Sequence, residues 1–365
     1  MSLFTQSNYF LGLASIAVVL LWGVSLWNGT VTALVVASWT GQFENGTRFE
    51  TRYTGLFVLD FPISLLVAFF FYGTNGSHPG YQLFLVDAYS TLQSAFVWLY
   101  AESYRNHSKP YTVANPIIWG LMWQAFGAAI ALPLFFQQHL KWSNNIHMPL
   151  PPADLCAARA LPISFMLGAL LPAVVGMLTI WYPRSDQLHQ QILAAWQLDP
   201  VWVSLFQWAL VAAFSSYSTK QSDEKSVHWL QFSYAFAAAS SAAGHLYSVT
   251  ALLLSPDPRS TFERVYVPFL FSGPEDATLK LANGPWLFLQ YDLIIISVSC
   301  LSWAYVLADR IIEGQTRIRE SVHLLILTGG IILGPGAVVS IVLFCREENL
   351  QRKRRVICTP SAKAR

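Results

Sequence analysis

Asp292 is a carboxyl set about two turns into an apolar run, Trp286-Leu287-Phe288-Leu289-Gln290-Tyr291-Asp292-Leu293-Ile294-Ile295-Ile296. Asp60 stands in a similar setting, Phe57-Val58-Leu59-Asp60-Phe61-Pro62, where the proline frees a backbone carbonyl and opens the helix locally. Asp87, Thr91, Ser94, Trp98 and Glu102 follow spacings of three and four, which puts them on one helical face. His245 shares a face with Tyr234, Ser241 and Ser248, and Gln124 lies beside Trp123. An ionisable group at mid-membrane costs at least ~2.5 kcal/mol, so the few that remain in apolar segments are where chemistry is sought. Desolvation favours the proton-bearing form of a carboxyl. Such a group can protonate an epoxide or alkene, and aromatic faces can then stabilise the carbocation at ~0.5–2 kcal/mol per contact. Exclusion of water protects that cation from quenching. In this scheme Asp292 or Asp60 is the proton donor, and Glu102 or His245 orients it or takes the final proton. Tyr291, Trp123, Tyr234 and Trp303 are candidates for the cation-lining wall, with Gln124 and Asp87 as further substrate contacts.

Each residue also has a plainer role. Asp60 and Asp292 can tie neighbouring helices through hydrogen bonds, and Glu102 can pair with Arg105 at an interface. Asp87 suits a solvated helix start. His245 and Gln124 can be satisfied packing residues.

Missing motifs narrow the field. No DDxxD-like or NDxxD-like acidic run is present to hold magnesium around a diphosphate, so metal-assisted ionisation is unsupported. There is no CxxCH, histidine box, GxSxG, Walker loop or GxGxxG. Cys156, Cys300, Cys345 and Cys358 have neither CxxC pairing nor metal spacing and read as free thiols. No metal site and no cofactor is expected. The net charge of +2 comes without an aromatic-interleaved basic patch, which speaks against nucleic acid.

The elements that hold these residues follow from composition. A chain of 365 residues that is 54% hydrophobic and 12% charged has too few charges to cover a soluble domain of its size. An all-α, polytopic membrane helix bundle is the fold class expected, because apolar runs of about 20 residues recur along the whole length. Spans are expected at about 9–27, 55–73, 81–102, 113–136, 161–182, 200–217, 229–253, 286–308 and 321–345, some eight or nine helices. Val31 to Trp39 is a further apolar stretch that suits a re-entrant or interfacial piece. The first run lacks a basic leader and a small-residue cleavage site and reads as a retained helix. Residues 1–345 form the bundle. Residues 346–365 form a basic tail with Arg346, Arg352, Lys353, Arg354, Arg355, Lys363 and Arg365, cytosolic by the positive-inside rule and able to touch anionic lipid. Nine spans then put the N-terminus in the lumen, with Asn45 and Asn106 on the cytosolic side.

The runs Tyr53 to Asp60, Trp119 to Gln124 with Leu132-Pro133-Leu134, Ala160-Leu161-Pro162 with Leu171-Pro172, and Phe288 to Asp292 resemble fungal membrane-bound terpene cyclases. The branch concerned is that of ascofuranone-type meroterpenoid and paxilline-type indole-diterpene pathways, and the likeness extends from about Tyr53 to Ala308. The resemblance implies cyclisation of a prenyl or epoxyprenyl chain, often carrying an aromatic or indole head, in the endoplasmic reticulum membrane. On the matching positions it favours Asp60 and Asp292 as acids, with Glu102 behind them. The expected partners are a lipophilic prenylated substrate and membrane lipid, with no obligatory protein partner. Two other classes fit the same residues. A proton-coupled transporter would string Asp60, Asp87 and Asp292 along an ion path, but no internal repeat accompanies them. A sterol-isomerase-like or ligand-binding membrane protein would use the polar stripes as a pocket.

Overall fold

Long apolar segments with few turn residues fold as helices, because only a helix satisfies its own backbone polar groups within one segment. The computed structural model describes residues 3–146, 150–177, 179, 182–217, 222–257, 260–269, 279–312 and 316–358, and among these there is no β-strand. The chain begins with α1 (Leu3–Ala17), which passes through a π-helical turn at Val18–Gly23 into α2 (Val24–Trp27). Beyond them lie α3 (Thr30–Thr40), α4 (Phe57–Thr74), α5 (Pro79–Ser103), the short α6 (Tyr111–Ala114), α7 (Ile117–Phe126) and α8 (Ala128–Asn144). A second π turn, Met166–Leu170, joins α9 (Leu155–Phe165) to α10 (Leu171–Met177). The remainder is α11 (Asp186–Trp196), α12 (Asp199–Tyr217), α13 (Asp223–Leu254), α14 (Phe262–Tyr266), α15 (Lys280–Ile311), α16 (Thr316–Ile332) and α17 (Pro335–Cys358).

Helix α5 is the axis of the bundle, buried along most of its length and packed by α13, α17, α4 and α9. Helix α15 is the second pillar and touches α1, α3, α4, α8, α16 and α17. Starts are marked by polar caps: Asp154 accepts from the Ala157 amide at 3.0 Å and Ser185 from the Leu188 amide at 3.3 Å.

Five helical stretches among the described residues are long and apolar enough to cross a membrane: Ser7–Trp27, Phe57–Thr74, Leu155–Met177, Asp223–Leu254 and Lys280–Ile311. Large apolar side chains such as Val58, Trp208, Leu253 and Leu325 are exposed, which fits a membrane protein. The expected eight or nine spans are not all found, and the shortfall has physical causes. The 81–102 segment is α5, whose Gln82, Asp87, Gln93, Ser94 and Glu102 are buried against protein. The 113–136 segment is cut at Gly127 into α7 and α8, and 321–345 is cut at Gly334 into α16 and α17. The 200–217 segment is α12, bent by 56° from α11. Positions 178, 180 and 181, at the end of the 161–182 segment, lie outside the described residues. The stretch Val31 to Trp39 is the eleven-residue α3.

No boundary appears at residue 345. Helix α17 runs on to Cys358, and Arg346 and Glu347, expected in the tail, are buried in the bundle. Lys363 and Arg365 lie outside the described residues.

Close approach of backbones is concentrated at Gly168, in the second π turn. A Cβ there would stand 2.6 Å from the Val203 nitrogen and 2.7 Å from its Cα. Gly168→Ala must therefore push α12 away, and it is expected to destabilise the bundle by about 1–3 kcal/mol. Gly12→Ala, with nothing within 4 Å, is expected to leave stability unchanged or slightly raised. Thermal unfolding of both variants in detergent, followed by circular dichroism, checks the contrast; equal midpoints would refute it.

Candidate active site

A 32-residue helix places Asp292 in the middle of the protein, where it is 5% exposed. Its Oδ1 accepts the Ala129 N–H at 2.8 Å. The first amides of any helix lack partners within that helix, so a carboxyl oxygen at the start of α8 satisfies one of them. That start exists because Gly127 breaks the α7–α8 run with φ of +102° and ψ of 144°. A side chain at 127 would lie 2.7 Å from Leu21 Cδ2 and 3.1 Å from Asp292 Oδ1, so the position requires glycine sterically as well as conformationally.

Asp292 lines a cavity of about 510 Å³ between α3, α4, α5, α7, α15 and the first π turn. Its wall is mostly apolar and rich in rings, with Trp22, Phe69, Phe70, Tyr89, Trp123, Phe126 and Phe288 among the lining residues. The rings brace one another edge to face. Phe288 meets Phe69 at 5.3 Å and Trp22 at 6.0 Å, and Trp123 packs on Phe96 at 4.6 Å. The Trp22 indole N–H donates to the Phe126 carbonyl at 2.9 Å, satisfying an acceptor at the end of α7.

The cavity has a second polar region at the α11–α12 bend. Gln124 Nε2 donates to Asp199 Oδ1 at 2.9 Å and to the Gln197 carbonyl at 3.2 Å, and Gln93 Nε2 approaches Asp199 Oδ2 at 3.3 Å. Tyr89 also lines the cavity, packed on Trp196 at 4.7 Å and on Phe70 at 5.6 Å.

Of the residues singled out in the sequence, the structure brings Asp292, Trp123 and Gln124 together on this cavity. Asp60 is buried behind it, while its neighbours Leu59 and Pro62 are on the wall. The Asp60 carboxylate accepts from the Tyr53, Thr54 and Gly55 amides at 3.1, 2.6 and 3.0 Å and from Thr54 Oγ1 at 2.8 Å, which staples the preceding turn to α4. Tyr291, on α15 next to Asp292, is half-buried against the core and is not among the residues of the cavity wall.

Glu102 belongs to a different, closed constellation. Its carboxylate takes Arg105 Nε at 2.9 Å and Nη2 at 2.8 Å, Arg346 Nη1 at 2.8 Å and His139 Nε2 at 2.9 Å. Arg105 also pairs with Glu347. Trp303 donates to His139 Nδ1 at 3.3 Å, which leaves the His139 Nε2 proton for Glu102. Trp303 thus serves the ion network and stacks on Phe136 at 4.6 Å, while Tyr234 is buried on α13, away from the cavity wall. Asp87 and His245, on α5 and α13, meet in a third place. Asp87 Oδ1 is 2.7 Å from His245 Nδ1, its Oδ2 accepts the Tyr266 hydroxyl at 2.6 Å, and His245 Nε2 is 3.0 Å from the Ile331 carbonyl.

The residues that the sequence did not single out are Asp199, Tyr89, Gln197, Trp22 and His139. Asp199 precedes a proline one residue before an expected span, a position that reads as a solvated helix start. His139 lies three residues beyond the expected end of its span. Among the described residues no three His, Cys, Asp or Glu side chains gather as a metal-binding group.

The model of the CtvD domain matches residues 7–351. This chain belongs to the CtvD-domain family. Its relatives include terpene cyclase DEP1 of Alternaria brassicicola, 26% identical over 372 residues, covering 95% of this chain and 99% of the relative. Terpene cyclase alnG of Emericella nidulans is 29% identical over 358 residues, covering 92% of each. Terpene cyclase janA of Penicillium janthinellum is 25% identical over 308 residues, covering 83% of this chain and 82% of the relative. No solved structure matches. The resemblance drawn from Tyr53 to Ala308 thus agrees with a family match that extends beyond it at both ends.

Removing Glu102 leaves the charges of Arg105 and Arg346 buried with one carboxylate between them. Glu102→Ala in this CtvD-family protein is expected to cost about 3–5 kcal/mol of stability. Chemical denaturation in mild detergent measures this, and a loss below about 1 kcal/mol would show that the network is dispensable.

Proposed function

We propose that this chain is a membrane-bound terpene cyclase in which Asp292 protonates an isoprenoid substrate. The observation that carries the reading is a buried carboxyl on the wall of a ring-lined, largely apolar cavity, in a chain whose relatives are named terpene cyclases. The cavity falls in the size range of small-molecule sites. Val35, Leu59, Leu121 and Phe126 line it and are also 41–52% exposed, so it opens on the apolar exterior, where a lipophilic substrate would enter sideways.

In the proposed step the Asp292 O–H bond breaks as its proton passes to an epoxide oxygen or alkene carbon. The epoxide C–O bond opens to a hydroxyl and a carbocation, and the π electrons of neighbouring double bonds close the rings. Loss of a proton from the last cation to the Asp292 carboxylate restores the acid. Product and substrate are isomers, and the scheme uses neither redox chemistry nor a leaving diphosphate. The Ala129 amide and the start of α8 hold the carboxyl in place, and the rings spread the positive charge. Substrates of the meroterpenoid or indole-diterpene type, residence in the endoplasmic reticulum membrane and a cytosolic C-terminus belong to the same proposal. The last rests on the run Arg352 to Arg355.

The test incubates microsomes containing the protein with an epoxyfarnesyl phenol and an epoxygeranylgeranyl indole, without added magnesium or nucleotide. Chromatography with mass spectrometry is expected to show a new product of unchanged mass. Asp292→Asn keeps an acceptor for the Ala129 amide and should fold, but product formation is expected to fall at least about 100-fold. Full activity in that variant would remove Asp292 from the mechanism.

A further inference from the structure

Two acceptor sequences for N-linked sugar stand in this chain, Asn45-Gly46-Thr47 and Asn106-His107-Ser108. Both asparagines are exposed, and the fold puts them at opposite ends of the bundle. Helix α15 is the ruler: its 32 residues span about 48 Å, more than the ~30 Å hydrocarbon core, so its two ends emerge on opposite faces of a membrane. Asn45 follows Glu44, whose Oε2 accepts the Leu281 amide at 3.0 Å in the first turn of α15. At the far end Arg310 donates to Ser143 Oγ at 2.9 Å, and Trp142, next to Ser143, packs with Leu150 against Leu350 of α17. Asn106 belongs to that far end, since Arg105 before it pairs with Glu347 of α17. The start of α1 lies toward the same end, with the Tyr9 and Ser302 hydroxyls 2.8 Å apart.

We infer that Asn45 is a site of N-linked glycosylation on the luminal face of the membrane and that Asn106, on the cytosolic face, is not. The inference rests on the endoplasmic reticulum residence and the cytosolic tail proposed above, and not on the cyclase chemistry. Arg310, Arg319, paired with Asp309 in the last turn of α15, and the run Arg352 to Arg355 gather at the Asn106 end, which by the positive-inside rule faces the cytosol. In the reaction Asn45 Nδ2 attacks the anomeric carbon of an oligosaccharide carried on a polyisoprenyl diphosphate. The C–N bond forms, the bond from that carbon to the phosphate oxygen breaks, the amide gives up one proton and the diphosphate leaves. The local turn suits this step. Gly46, at φ of +79°, closes a tight loop in which the Phe43 N–H donates to the Thr47 carbonyl at 3.0 Å and the Thr47 N–H donates to Asn45 Oδ1 at 3.0 Å. The oxygen of the Asn45 amide is thereby engaged, and its nitrogen has no partner among the described residues. Phe43 stacks on Phe71 at 4.3 Å and packs on Phe49 at 4.6 Å, which anchors the loop below its exposed tip, so a sugar at Asn45 displaces nothing in the core.

The experiment expresses the full chain with a C-terminal epitope in a eukaryotic host and prepares sealed microsomes. Endoglycosidase digestion is expected to shift the wild-type band in gel electrophoresis by the mass of one glycan. Asn45→Gln and Thr47→Ala are each expected to run at the digested position without treatment, and Asn106→Gln to shift as the wild type does. Thr47→Ala keeps the Asn45 amide, so loss of the glycan there reports the acceptor sequence and not the part Asn45 plays in the turn. Protease added outside the vesicles is expected to remove the epitope. A wild-type band that does not shift, or a shift that survives Asn45→Gln and disappears in Asn106→Gln, overturns the assignment, and a protected epitope overturns the orientation it depends on. Isomer formation is scored in the same microsomes. Turnover by a protein without glycan would reject the site and leave the cyclase reading standing, whereas a glycan at Asn45 without any isomer formed would reject the cyclase reading and leave the site.

Discussion

A carboxyl on a long apolar helix has to find a hydrogen-bond donor inside the protein, and the contact from the Ala129 amide to Asp292 shows how that demand shapes the bundle. A continuous helix across residues 117–144 would offer no free amide at that depth. The break at Gly127 exposes the first turn of α8, points it at α15 and ends α7 one residue earlier. The space opened by the break is part of the cavity, since Phe126, Gly127 and Ala128 all contribute to its wall. The position of the acid, the interruption of the helix and the chamber are consequences of one another.

Polar groups are buried here in two ways. Glu102 with Arg105, His139, Arg346 and Glu347 is closed, every charge meeting another, and it draws α5, α8 and α17 together. The Asp60 turn and the Asp87–His245–Tyr266 group are closed by hydrogen bonds instead and join neighbouring segments. The cavity differs because Asp292 lies on the wall of an open volume bounded mostly by rings and aliphatic side chains. Burial alone therefore says little about chemistry; what separates Asp292 from Glu102 is an unfilled space beside it.

The helical class was legible in the recurring apolar runs, and Asp292 and Gln124 stood out in the sequence because a polar residue inside an apolar run is conspicuous by type, whatever it does. The environments of Asp60 and Glu102 were less legible, since their partners are backbone amides of a preceding turn or side chains as distant in sequence as Arg346. The span count came out too high for a related reason. Hydropathy treats Gly127 and Gly334 as neutral members of an apolar run, whereas their positive φ values end one helix and begin another. Asp199 and Gln197 escaped notice because a bend between two helices places them in the interior, and nothing in Gln197-Leu198-Asp199-Pro200 distinguishes a buried bend from an exposed loop.

The π turn at Val18–Gly23 bears on how chains of this family can differ in length. A π turn holds one residue more than the α turn it replaces, and this one carries Leu21, packed at Gly127, and Trp22, on the cavity wall. Loss of a single residue there would convert it to regular helix and rotate everything before it by about 100° relative to everything after. The ring of Trp22 would leave the chamber or the Tyr9 contact with Ser302 would break, according to which half kept its place. A change of one residue in length in the first helix can therefore remodel the chamber where several point substitutions would not, and an alignment gap at this point is a difference in the shape of the chamber.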